Sequence, residues 1–74
     1  MTIKVYKETK RIEVIVDEEL KDKMIATVYK IIRKYRGDMD WEPKGENKIA
    51  IYYYAPNGKA LEKAKEKLEK ALIV

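Results

Sequence analysis

The 74-residue sequence has no cysteine, no histidine, no serine and no glutamine. Without cysteine no disulfide can brace the fold, and without cysteine or histidine the usual zinc ligands are gone. Nucleophilic catalysis wants Ser, Cys or Thr beside a base, commonly His, so the familiar constellations cannot be assembled. Thr2, Thr9 and Thr27 are the only aliphatic hydroxyls, and Thr27 falls in the middle of a helical pattern with no recognisable partner. The expectation is a protein that is not an enzyme. Glycine is scarce too. Gly37, Gly45 and Gly58 stand too far apart to write GxGxxG or GxxxxGK[ST], which excludes a glycine-rich phosphate cradle. No apolar run approaches the roughly 20 residues that span a bilayer, and Met1-Thr2-Ile3-Lys4 lacks the apolar stretch of a signal peptide. We therefore expect a soluble chain with no cofactor, no metal and no membrane partner; its compartment is left unassigned.

What is present points to one folded domain, residues 1–74. Apolar residues make up 46% and charged residues 41%, a balance suited to a globule and not to a disordered tail. A chain this short has a single small core whose burial barely offsets the entropy of ordering, so packing and local propensity must supply the margin. The 17 basic and 13 acidic residues leave a net charge of +4, a mild excess that names no partner.

Ile3-Lys4-Val5-Tyr6 and Ile12-Glu13-Val14-Ile15-Val16 both alternate, but the apolar parity switches from odd to even between them. A hairpin turning near Glu8-Thr9-Lys10 produces that switch, because paired residue numbers then sum to an odd total. One long bulged strand, giving βαββα, is the alternative. Asp17 reads as an N-cap, and Leu20, Met24, Val28, Ile31 and Tyr35 form a helical stripe ending at Gly37. Met39 and Trp41 then share a side with Ile49, Ile51 and Tyr53 across a turn at Pro43–Asn47. Asn57 caps a second helix whose stripe is Ala60, Leu61, Ala64, Leu68, Ala71 and Leu72. The fold class is α+β, a two-layer ββαββα with both helices on one face of a four-stranded antiparallel sheet. Asp40, Glu42 and Pro43 mark the third strand as an edge, and Lys4 and Lys7 mark the first, which predicts the order 1-2-4-3.

Two groups of side chains hold functional interest. Asp38, Asp40 and Glu42 occupy alternate positions where a hard cation binds, but the twelve-residue calcium loop needs Gly sixth and Glu twelfth, and Pro43 and Ile49 stand there. A solvated edge strand accounts for them. On the sheet face turned from the helices, parity gathers Lys4, Tyr6, Arg11, Lys48, Tyr52 and Tyr54 with Ile15. Tyrosine rings among cations suit single-stranded nucleic acid, which stacks its bases and pairs its phosphates there. The segment Lys48–Tyr54 lacks the Gly and paired aromatics of the RNP1 motif, and Glu13, Asp40 and Glu42 share the face. The apolar arc of the first helix extends to Ile25, Tyr29 and Ile32, wider than one sheet needs, so self-association into a homodimer or binding of a protein partner is a further alternative.

From Asn57 to Leu72 the chain is built almost wholly of the strongest helix formers, with Glu66 and Lys70 at favourable spacing. In this and in its missing residue types the sequence resembles computationally designed small α/β proteins, de novo or redesigned from a natural backbone, and hyperthermophile proteins share the bias. That resemblance implies a structural scaffold with no evolved biochemical activity. Ile51-Tyr52-Tyr53-Tyr54-Ala55-Pro56 followed by a helix is also faintly similar to small archaeal translation-factor α/β domains, without carrying residue roles.

Overall fold

A computed structural model describes residues 2–73, with side chains described through Ala71. The elements are β1 (Thr2–Tyr6), β2 (Arg11–Asp17), a 3₁₀ turn (Glu18–Leu20), α1 (Lys21–Tyr35), β3 (Asp38–Pro43), β4 (Lys48–Tyr54) and α2 (Gly58–Ile73). The expected ββαββα order holds, and the sheet runs β1-β2-β4-β3 with every neighbour antiparallel. Residues 2–17 form a hairpin, not one bulged strand. Its register pairs Ile3 with Val14 and Val5 with Ile12, and its turn closes through the Lys10 N–H on the Lys7 carbonyl at 3.3 Å.

Alternation dictates which face is buried. Ile12, Val14 and Val16 of β2 and Ile49, Ile51 and Tyr53 of β4 meet Met24, Val28 and Ile31 of α1 and Leu61, Ala64 and Leu68 of α2. These small and branched side chains form the continuous core on which a chain without disulfides relies. The Leu72 side chain, expected in the α2 stripe, lies outside the described residues. Among the described residues no helix is long and apolar enough to cross a membrane.

One local expectation differs from what the structure shows. Asp17 precedes the helical segment with extended backbone angles but caps nothing with its side chain; its carboxylate accepts from Lys48 Nζ instead. Lys48 lies directly across the ladder from Asp17, and the cross-strand ion pair outcompetes the cap. The Glu18 N–H is satisfied by the Asn47 carbonyl at 2.7 Å, which ties the helix entry to the β3–β4 turn. Trp41 does face the helix side, opposite Ile51, yet it is 40% exposed, because β3 is an edge strand that α1 only partly covers. The Lys21 ammonium sits 3.7 Å from its ring centroid. Asn57 caps α2 as expected, its Oδ1 accepting from the Ala60 N–H at 2.8 Å.

Candidate functional site

Cross-strand register sets out the open face of the sheet in rows. Tyr6, Arg11, Tyr54 and Asp38 form one row, Lys4, Glu13, Tyr52 and Asp40 the next, and Thr2, Ile15, Ala50 and Glu42 the third. Five of the six residues expected to gather here do so: Lys4, Tyr6, Arg11, Tyr52 and Tyr54. Lys48 shares the face but belongs to the far end of β4, six residues from Tyr54, or about 20 Å of strand, and it is held by Asp17.

Three of the five are engaged by neighbours on the same face, Tyr6, Arg11 and Tyr52, while Tyr54 is 38% exposed. Arg11 lays its guanidinium over the Tyr6 ring, 4.4 Å from the centroid, and reaches within 5.9 Å of the Tyr52 ring. The Tyr6 hydroxyl donates to Glu13 Oε1 at 3.3 Å. Glu13 is 9% exposed and is the buried charged residue among those described; tyrosine rings on the neighbouring strands flank it. The Tyr52 hydroxyl donates to Glu42 Oε1 at 2.8 Å, and Lys44 Nζ completes that cluster 3.4 Å from the same carboxylate oxygen. The bond to Glu42, followed by burial and the nearby carboxylate charges, raises the Tyr52 phenol well above its ordinary range. Glu42 is lowered in turn, chiefly by the Tyr52 hydroxyl and then by Lys44.

Charge divides the face. Lys4 and Arg11 lie on the β1–β2 side, whereas Asp38, Asp40 and Glu42 line the β3 edge. A single strand crossing this sheet would leave favourable cations for three carboxylates, at a cost in both steering and affinity. The carboxylates do not converge either: among the described residues no group of three or more His, Cys, Asp or Glu is placed to hold a metal ion.

Sequence alternation does not reveal that Glu13 and Glu42 are the hydrogen-bonding partners of the tyrosines. Both bonds run diagonally between rows: Glu13 lies opposite Lys4 and Tyr52 but accepts from Tyr6, and Glu42 lies opposite Ala50 but accepts from Tyr52. The chain matches no protein-family model, no curated protein and no solved structure.

Proposed function

We propose that this chain is a structural scaffold, a non-catalytic α+β folding unit of designed type whose side chains serve the fold. The observation that carries this reading is the internal closure of the open sheet face, where Arg11 lies over Tyr6, Tyr6 bonds Glu13 and Tyr52 bonds Glu42. A stacking platform for bases needs free ring faces and unpaired cations, and here the ring of Tyr6 is covered and the hydroxyl of Tyr52 is engaged. Titration of the labelled protein with single-stranded oligonucleotides at low salt tests the reading. The expected result is no localised amide shift at Arg11, Tyr52 or Tyr54. Shifts at those residues that fade with added salt would replace the scaffold with a single-strand binder.

Self-association is a second reading, favoured by one observation. Tyr29 is 51% exposed and lies in a helical stripe with half-buried Ile25 and Ile32, beyond the part of α1 that the sheet covers. Light scattering after size exclusion separates the two readings: a monomer mass that does not change with concentration supports the isolated scaffold, and a doubled mass supports the dimer.

A further inference from the structure

The helical layer carries a charge that the sheet does not share. α1 holds five basic residues and one acidic, and α2 five basic and three acidic, so the two helices hold a net +6. The rest of the chain, with seven basic and nine acidic residues, holds −2. The mild overall excess therefore conceals a strongly polar distribution, with one basic layer.

Within that layer the lysines are ordered. Lys23, Lys30 and Lys34 follow one line on α1, with Thr27 between them, and Lys59, Lys63, Lys67 and Lys70 follow one on α2; at 100° per residue each set spans no more than about 80° of its helix. The two lines flank the same seam. Thr27, Lys30, Ile31 and Lys34 of α1 and Lys67 and Lys70 of α2 line an open cleft of about 360 Å³ between the helices. The ion pairs among the described residues, Lys44–Glu42 and Lys48–Asp17, both belong to the sheet and its turn, so among the described residues the cleft lysines form no direct ion pair. Glu62, Glu66 and Glu69 follow the adjoining flank of α2, with Glu66 one turn before Lys70.

From this arrangement we infer that the α1–α2 cleft is a sequence-independent docking surface for the phosphate backbone of double-stranded nucleic acid. Each lysine line runs over twelve residues, eleven steps or about 16 Å of helix, over which a duplex presents about nine phosphate charges. Lysine is a point charge on a flexible stem, suited to tracking phosphates and unsuited to reading base edges bidentately. None of the cleft residues is aromatic, and the Tyr35 ring beside Lys34 is half-buried with the Lys34 ammonium 5.5 Å from its centroid, so the cleft offers no platform of exposed rings to a single strand. The cleft also shows no exposed Trp, Phe or Leu of the kind that inserts into a bilayer interface. A regular array of phosphates is the complement that charge without stacking or insertion selects.

The test is fluorescence anisotropy on labelled duplexes of about two helical turns, in two unrelated sequences. Four neutralised phosphates give a slope of log affinity against log salt of about −3.6, so affinity falls about a hundredfold between about 50 and about 200 mM salt. Both sequences are expected to bind within about twofold of each other. The variant Lys30→Gln, Lys34→Gln, Lys67→Gln, Lys70→Gln is expected to lose at least tenfold at low salt, while Lys4→Gln, Lys7→Gln, Lys10→Gln, Lys44→Gln, with the same net charge, loses no more than about threefold. Amide shifts of the wild-type protein with the duplex are expected around Lys30, Lys34, Lys67 and Lys70, a readout that needs no variant to fold. No binding at low salt, equal losses in the two variants, shifts confined to the sheet face, or tighter binding to the isolated single strand or to phosphatidylserine vesicles would each overturn the inference.

Discussion

The hydroxyl of Tyr53 donates a 2.6 Å hydrogen bond to the carbonyl oxygen of Arg36. Tyr53 stands in the core on β4 and is fully buried, while Arg36 ends α1 with φ +70°. The last carbonyls of a helix have no partner within it, and here a core tyrosine supplies one from the sheet. The bond therefore joins the two layers at the point where α1 turns back toward β3. Removing only the hydroxyl, in Tyr53→Phe, keeps the ring and its packing. The expected loss is about 1–2 kcal/mol, or a fall in Tm of about 4–8 °C for each kcal/mol in a domain of this size, measured by urea and thermal unfolding.

Gly37 makes the same corner possible in a different way. Its φ is +111°, and a Cβ placed there would overlap the Tyr54 carbonyl oxygen and come within 2.9 Å of Tyr53 Cε1. Gly45, in the β3–β4 turn, also has positive φ (+76°), but a Cβ there meets nothing. Gly45→Ala thus incurs only the backbone term, about 1–2 kcal/mol, whereas Gly37→Ala adds a clash against rigid backbone and is expected to lose about 3 kcal/mol or more. Comparative unfolding of the two variants separates strain from crowding; equal losses would mean that the corner relaxes.

Much of this architecture follows from alternation and edge chemistry. The parity switch between Val5 and Ile12 implies the first hairpin, and Asp40, Glu42 and Pro43 place β3 outside. What alternation does not carry is the choice among partners for one polar atom. Asp17 suits an N-cap by local rule, but Lys48 is 31 residues away in sequence and becomes its neighbour only when β2 meets β4. The open face behaves likewise. Its membership follows from period two, while the closure of Tyr6 by Arg11 and of Tyr52 by Glu42 depends on register. Gly37 is legible as a helix terminator, but its contact with Tyr53 and Tyr54 is a tertiary fact.

Alkaline pH probes the two engaged tyrosines. Tyr52 is raised mainly by its bond to Glu42, and Tyr53 by burial. In the unfolded chain both phenols ionise near pH 10, while in the folded chain they keep their protons to higher pH. Between those limits the folded state binds more protons than the unfolded, so stability is fully present below about pH 10 and falls as pH rises further. At the acid end the sign is reversed. Asp17, lowered chiefly by its bond from Lys48, and Glu42 contribute above the ordinary carboxylate range and lose that contribution as pH falls through it; both are exposed, so the effect is small. Tyrosinate absorbance of native against denatured protein checks the alkaline limb. A delayed fraction is expected in the wild type, reduced in Tyr52→Phe and again in Tyr53→Phe.

Arg11 decides whether the open sheet face serves the fold or a ligand. Its guanidinium rests on the Tyr6 ring, and its Nε is buried without a hydrogen-bond partner, an arrangement with an electrostatic gain of about 0.5–1 kcal/mol from the ring and a desolvation cost at the nitrogen. The guanidinium lies between the Tyr6 and Tyr52 rings, 4.4 and 5.9 Å from their centroids, and a long stem of this kind contributes packing as well as charge. If the residue serves packing, Arg11→Ala is expected to lose about 1 kcal/mol, and Arg11→Met, which restores a stem of similar length without the buried nitrogen, is expected to recover most of that loss. Residues held for binding usually cost stability, so their removal leaves a protein as stable as before or more so. Denaturant midpoints for wild type, Arg11→Ala and Arg11→Met therefore discriminate. The order wild type, Met, Ala with a small first gap marks a scaffold face, whereas an alanine variant more stable than wild type would mark a face kept for a partner.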